Sequence, residues 1–195
     1  MSNESSQTMR KVRTKMIIVA APSGAGKSSF VERISREESR LVDIITYTTR
    51  QMRRGESQSH PYHFVSIEQF EDLLEKNFFV EHARVHQNYY GTPADQIERA
   101  WKQDRCVIMD VDVQGAETFR RKYPESKSIF IIPPSIDELR RRVIKRDGKA
   151  PEDLEVRMTN AEKEISRAHE FNFQVINDDF EASYSQFKKI VAELL

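Results

Sequence analysis

The stretch Met16-Ile17-Ile18-Val19-Ala20-Ala21-Pro22-Ser23-Gly24-Ala25-Gly26-Lys27-Ser28-Ser29 decides the reading of this chain. Its first five residues form a continuous apolar run, the pattern of a strand buried on both faces of a parallel sheet. A glycine-rich turn follows, then Lys27-Ser28, then apolar residues at helical spacing over 28–36. Strand, glycine loop, Lys-Ser and helix in that order make a phosphate-binding P-loop. In such a loop, backbone N–H groups and a helix N-terminus surround a nucleotide β-phosphate. The lysine ammonium bridges terminal phosphates and the hydroxyl reaches Mg²⁺. Lys27 and Ser28 take those two roles, and Ala21, Pro22, Ser23, Gly24, Ala25, Gly26 and Ser29 complete the expected nucleotide contact. Ala21 stands where the strict pattern has its first glycine. A Gly-Lys-Ser/Thr tripeptide arises by chance in about one chain in twenty of this composition, and requiring Gly24 as well lowers that to about one in six hundred. The loop is therefore read as a nucleotide site.

Working outward, Cys106-Val107-Ile108-Met109-Asp110-Val111 and Ile129-Phe130-Ile131-Ile132 repeat the buried-strand pattern, and Phe173 to Ile176 is a weaker fourth candidate. Helical periodicity covers 28–36, 67–76, 93–102, 115–122, 136–146, 152–170 and 184–195. Strands alternating with helices predict an α/β fold, a parallel sheet flanked by helices. Ser135 with Glu138 three residues on reads as a capping box opening the fifth of those helices. Residues 1–14 are polar and without period, and are expected to be a disordered leader to a single domain over 15–195. The segment from Ile44 to Phe64, rich in Thr, Arg and His, looks like an inserted binding element.

Composition narrows the function classes. Of 195 residues, 38% are hydrophobic and 32% charged, bunched apolar segments arguing against disorder, and the 31 Lys plus Arg equal the 31 Asp plus Glu. No global positive field draws a nucleic-acid backbone or an anionic membrane, so neither is an expected partner. The longest apolar run, Met16 to Ala21, falls short of the roughly 7 residues of a secretory core and the roughly 20 of a membrane span. A soluble, cytoplasmic protein is expected, and the single cysteine, Cys106, within an apolar run, reads as a buried core thiol in a reducing compartment.

Asp110 and Asp112 sit at the carboxyl end of a predicted strand, where α/β sheets bind ligands, and can accept hydrogen bonds from magnesium-bound water or from a substrate. Asp112-Val113-Gln114-Gly115 mimics the D-x-x-G of a GTPase switch, but the chain holds no N-K-x-D to read a guanine base, which argues against that class. The discriminating segment is Thr46-Tyr47-Thr48-Thr49-Arg50-Gln51-Met52-Arg53-Arg54-Gly55-Glu56, continuing to Tyr62-His63-Phe64. It resembles the acceptor-binding stretch of guanylate kinases, S-x-T-T-R-x-x-R-x-G-E followed by Tyr-x-Phe. The resemblance extends through Phe79-Val80-Glu81-His82-Ala83, Asn88-Tyr89-Tyr90-Gly91-Thr92-Pro93, Asp110 to Gly115, Ile131 to Ser135, the Arg-rich Leu139 to Arg146, and Val175 to Asp179, covering nearly all of 16–195.

That resemblance implies a P-loop core with an inserted GMP-binding region at about 44–94 and a mobile lid at about 140–157. It implies transfer of the ATP γ-phosphoryl group to GMP, with dGMP a possible second acceptor. Arg50 and Arg53, three residues apart, match the pair that grips the acceptor phosphate, where two guanidinium forks suit a nearly doubly charged anion. Tyr62 and Tyr90 complete that cage, with Glu56 and Gly91 in the matching stretches. Glu81 matches the base-reading glutamate, whose carboxylate accepts from guanine N1–H and the 2-amino group. Thr46, where relatives often have serine, donates to O6, with Thr92 and Asp112 beside the same edge. Arg142, Arg146 and Arg157 match the lid arginines over the donor triphosphate, the first two sharing a helix face at a spacing of four. Asn177 corresponds to a residue near the donor adenine. Mg²⁺ is the implied cofactor, held by Ser28 and Asp110, the latter through water. Arg140, Arg141 and Arg54 read as solvated. The lid turn Arg146-Asp147-Gly148-Lys149-Ala150-Pro151 and the Ser59-His60-Pro61 loop depart from the family pattern. His82 and His86 have the spacing of a helical metal pair but no evident third ligand. Two rivals remain: a related binding module that takes phosphorylated peptides, although such modules usually lack an intact glycine loop, and a kinase for another nucleoside monophosphate, against which Glu81, Thr46 and the tyrosine pair argue.

Overall fold

The computed structural model describes residues 14–53, 55–85 and 87–195. Residues 1–13 of the expected leader, Arg54 and His86 lie outside the described residues, whereas Thr14, the leader's last residue, is buried. β1 (Met16–Ala20) is buried at every position because it is the middle strand of five. It pairs in parallel with β7 (Cys106–Val111) on one side and β8 (Lys127–Ile132) on the other. β2 (Leu41–Asp43) and β9 (Phe173–Ile176) form the edges, giving the order β2-β7-β1-β8-β9, parallel throughout.

The period of two along β1 divides the core. Ile17 and Val19 face α1 (Lys27–Glu37), α5 (Ile136–Asp147), α6 (Leu154–Ser166) and α7 (Phe180–Leu194), meeting Phe30, Val143, Met158 and Phe187. Met16, Ile18 and Ala20 face α3 (Ala94–Lys102), α4 (Val113–Lys122) and a 3₁₀ turn (Ala168–Glu170), meeting Ile97, Phe119 and Phe171. Each fully buried Ile, Val or Phe contributes about 1.5–3 kcal/mol, so truncating the apolar residues of β1 is costly. The carboxyl ends of β1 and β7 deliver the glycine loop and Asp110 side by side, with Val19 opposite Asp110 in register.

A second sheet, absent from the sequence reading as strands, grows from the segment between β2 and α3. β3 (Tyr47–Thr48) pairs in parallel with β4 (His63–Phe64) and antiparallel with β6 (Asn88–Pro93), which pairs with β5 (Phe79–Val85). α2 (Ile67–Glu75) lays Phe70 against it, stacked on Phe79 and Tyr89 at centroid distances of 4.7 and 5.4 Å. β3 and β4 are two residues each and exist through long-range pairing, so no local period betrays them.

Three local expectations are revised. The helix expected over 152–170 stops at Ser166, whose hydroxyl bonds the Lys163 carbonyl (2.8 Å) and draws it from the helical ladder. The last helix begins at Phe180 because Asp179 caps it, accepting from Ala182 N at 2.9 Å. The Ser135–Glu138 box is half formed. Ser135 Oγ accepts from Glu138 N at 3.1 Å, but the Glu138 carboxylate is taken by Arg142 (2.9 Å) and Arg141 (2.8 Å). A complete box stands instead at Ser66–Gln69.

Candidate active site

The glycine loop turns twice through left-handed backbone, at Gly24 (φ 95°) and Gly26 (φ 94°), a region that excludes most side chains. Space excludes them too. A Cβ on Gly24 would lie 2.8 Å from Val143 Cγ2, and one on Gly26 would lie 2.9 Å from Asn177 Nδ2. Gly26 caps α1, so the helix N-terminus and its unpaired N–H groups open onto the loop. Ser28, the second residue of α1, donates from Oγ to Asp110 Oδ2 at 2.6 Å. A hydroxyl and a carboxylate held together beside a phosphate loop are a hard-oxygen donor set of the kind Mg²⁺ prefers.

A cleft of about 1080 Å³ runs from this loop to the second sheet. On the loop side it is lined by Ala21, Ser23, Gly24, Gly26, Lys27, Ser28 and Ser29 with Asp110. On the sheet side it is lined by Thr46, Arg50, Arg53, Glu56, Tyr62, Glu81, Tyr90, Thr92 and Asp112, and Arg146 and Arg157 lie over it. Pro22, Ala25 and Gly91 support it from within the buried backbone. The structure thus brings together residues from seven separate stretches of chain.

Two expected site residues lie elsewhere. Asn177, almost wholly buried, donates from Nδ2 to the Ala25 carbonyl at 2.8 Å, bracing the glycine loop from behind. Arg142 donates to Glu138 and, from Nη2, to the Asn177 carbonyl at 3.1 Å, extending that brace. Arg142 and Arg146 therefore do not converge on one point as their helical spacing suggested. A step of four leaves about 40° of rotation, and Glu138 holds the first while the second reaches the cleft.

On the sheet side, Arg50 makes a two-pronged pair with Glu56 (3.0 and 2.8 Å), and Glu56 also accepts from Arg53 N at 2.7 Å. Glu56 thereby shapes the loop that carries both arginines. The Arg50 guanidinium lies 5.5 Å over the Tyr62 ring, and Tyr62 meets Tyr90 edge-on at 5.8 Å. Arg53 is held below its ordinary range by burial, then by Arg146 and Arg50, a local excess of positive charge that an anion relieves. Glu81 sits opposite Thr92 in the β5–β6 register, and its carboxyl is pushed up to about 7 by burial, then by Asp112. Asp112 caps α4, its Oδ1 accepting from Gly115 N at 2.7 Å.

The structure adds residues the sequence did not single out. Glu164 lines the cleft from α6, seven residues after Arg157 and so on the same face. Its carboxyl is pushed up to about 7 by burial and then by Asp112, with Lys27 opposing. Asp43, at the end of β2, is pushed to about 7 by burial, then Asp110 and Glu32. The heptad offset from Arg157 was a readable signal for Glu164; Asp43 had none. Among the described residues no three or more His, Cys, Asp or Glu side chains cluster to hold a metal, and no helix is long and apolar enough to cross a membrane. His82 lies on β5 rather than a helix, and its supposed partner His86 is outside the described residues. Cys106 is buried, and its thiol is pushed up to about 12 by burial.

Comparison with known proteins decides among phosphate-loop proteins. The family model for guanylate kinase matches residues 13–194. A guanylate kinase of Bdellovibrio bacteriovorus is 60% identical over 184 residues, covering 94% of this chain and 100% of its own. The chain belongs to the guanylate kinase family. A Francisella tularensis guanylate kinase is 42% identical over 89% of this chain and 94% of its own. The crystal structure of guanylate kinase from Anaplasma phagocytophilum superposes with a TM-score of 0.77 at 28% identity, covering 95% of this chain and 88% of that one. The family consists of nucleoside monophosphate kinases that phosphorylate GMP with ATP, giving GDP, and this chain is an enzyme of that class.

Proposed function

We propose the following division of labour for ATP plus GMP giving ADP plus GDP. The glycine loop and the α1 N-terminus receive the ATP phosphates, and Lys27 bridges the terminal ones. Arg50 and Arg53, with the hydroxyls of Tyr62 and Tyr90, hold the GMP phosphate. Glu81 accepts from guanine N1–H and the 2-amino group, and Thr46 donates to O6, with Thr92 and Asp112 completing that wall. Adenine offers neither donor and would leave the carboxylate unpaired in a confined site, a loss of several kcal/mol. Region 44–94 is the acceptor part and 140–157 the lid. The observation that carries this reading is a carboxylate, Glu81, in the second sheet facing the same cleft as Lys27 and Arg53.

The reaction needs no general base, because the attacking GMP phosphate oxygen is already ionised near neutral pH. Catalysis is then alignment, exclusion of water and stabilisation of charge on the transferring phosphoryl group by Lys27, Arg53, Arg146 and Arg157. Ser28 and Asp110 would hold Mg²⁺, which when bound offsets charge on the donor phosphates. Arg142 and Asn177 act behind the loop, keeping its carbonyls turned inward. The substrates are small nucleotides, dGMP included, and the buried thiol suits a cytoplasmic setting.

The test is ADP release with ATP and Mg²⁺ against GMP, AMP, CMP and UMP in turn. Turnover with GMP alone is expected. Turnover with AMP would remove the Glu81 assignment, and none with any acceptor, in folded protein that binds GMP, would favour a binding module. Lys27→Ala should lower turnover by orders of magnitude while GMP binding, measured by calorimetry, stays intact.

A further inference from the structure

The lid holds an acid where a helix disfavours one. Asp147 is the last residue of α5, at the negative end of the helix dipole, and Gly148 beyond it reverses the chain in left-handed backbone (φ 75°). Its carboxylate takes both prongs of Arg146, Nε to Oδ1 at 2.8 Å and Nη2 to Oδ2 at 3.2 Å. The same Oδ2 lies 3.8 Å from Arg157 Nη1 on α6. Arg53, on the acceptor loop, makes no ion pair with it and acts on its charge only through space. Burial acts against the Asp147 charge, but Arg146, Arg53 and Arg157 outweigh it and hold the carboxyl below its ordinary range. Two arginines from two helices thus meet at one acid, with a third cleft arginine within its field. Arg157 is held more closely by Asp153 at the start of its own helix, Nε to Oδ1 at 2.8 Å, and Arg50 pairs separately with Glu56.

Guanidinium forks bind carboxylate and phosphate oxygens by the same geometry. Such groups repel one another when brought close, and the Arg53 charge is already disfavoured by burial and by its neighbours Arg146 and Arg50. We propose that Asp147 is a positioning residue whose carboxylate stands in for the phosphoryl group in the nucleotide-free enzyme, holding Arg146 and drawing Arg157 toward the place where donor and acceptor phosphates meet. Nucleotide phosphates, with more charge and more acceptor oxygens, take the arginines over. Asp147 then remains as a like charge beside them, lowering affinity for polyphosphate. The inference rests on the phosphate-binding role given above to those arginines.

The test uses the full chain and inorganic tripolyphosphate and ADP as probes, titrated by calorimetry into wild type, Asp147→Asn and Arg146→Ala. Asp147→Asn removes the competing charge and should tighten both probes roughly two- to fivefold, the range of a partly exposed ion pair, with KM for ATP falling in step. A merely structural role would weaken both. Unchanged or weaker binding by Asp147→Asn, while Arg146→Ala weakens it, overturns the stand-in role. If Arg146→Ala binds tripolyphosphate as wild type does, the failure lies instead in the phosphate role of the arginine. Melting temperatures check the fold, with Asp147→Ser as the second variant. If neither folds, the carboxylate is a determinant of the fold and the inference falls.

Discussion

Protonation of Glu81 should set the pH dependence of guanine binding. Burial, and after it the charge of Asp112, push this carboxyl up to about 7. Guanine N1–H and the 2-amino group are both donors, so only the ionised carboxylate binds them, and the protonated acid must lose its proton first. Affinity therefore falls as pH drops. With the free carboxyl titrating at about 7, apparent affinity between about pH 8 and pH 6 should weaken about tenfold, and binding near pH 7 should expel about half a proton. GMP loses its own second phosphate proton near pH ~6, which would mimic the effect. The assay is accordingly calorimetry with guanosine, which has no phosphate, in two buffers of different ionisation enthalpy. Glu81→Gln turns one acceptor into a donor facing guanine donors. Two hydrogen bonds to a charged group at roughly 1.5–3 kcal/mol each are at stake, so a loss of about 3 kcal/mol and a flat pH profile are expected. Guanosine affinity that is level, or higher, at the acid end would refute the reasoning.

Asn177→Ala removes the bond to the Ala25 carbonyl and leaves that carbonyl buried, at a cost of about 1–3 kcal/mol. Denaturant melts should register it, with KM for ATP raised and GMP affinity unchanged. Gly115→Ala would place a methyl 3.1 Å from Asp112 Oδ1 and 3.8 Å from Glu81 Oε1. Helix propensity improves by about 1 kcal/mol, so stability should hold while GMP affinity, by titration, drops. Glu81, Asp43 and Glu164 all have carboxyls raised to about 7. A raised carboxyl stabilises the fold below its unfolded value and loses that contribution as pH rises through the folded one, so melting temperature should fall from about pH 5 to pH 8. A melting temperature that rises across this window would contradict the buried placement of the three acids.

The three central strands of the main sheet were legible because they are buried on both faces and so read as unbroken apolar runs; β9 was a weaker signal, and the three-residue edge strand β2, only partly buried, gave none. The second sheet was not legible, since β5 and β6 carry polar residues on a face turned to the cleft and β3 and β4 are too short to show a period. Helix bodies were legible from spacing, and their ends were decided by single side chains such as Ser166 and Asp179. Arg142 and Asn177 show the limit for a site. The family resemblance marked them as nucleotide contacts, yet a hydrogen-bond partner, Glu138 for one and the Ala25 carbonyl for the other, holds each behind the loop.

By itself the sequence determined the phosphate loop, whose function is carried by consecutive backbone groups and needs only glycines, a lysine and a hydroxyl in local order. It also determined the parallel core, because a strand hidden on both faces has no polar alternation to disguise it. The tertiary structure alone decided that Asp112 raises the Glu81 carboxyl, that Glu164 and Asp43 are acids held near neutrality, and that Asp147 meets arginines from two helices. Burial and Coulomb interaction depend on distance through space, and distance along a chain does not report it.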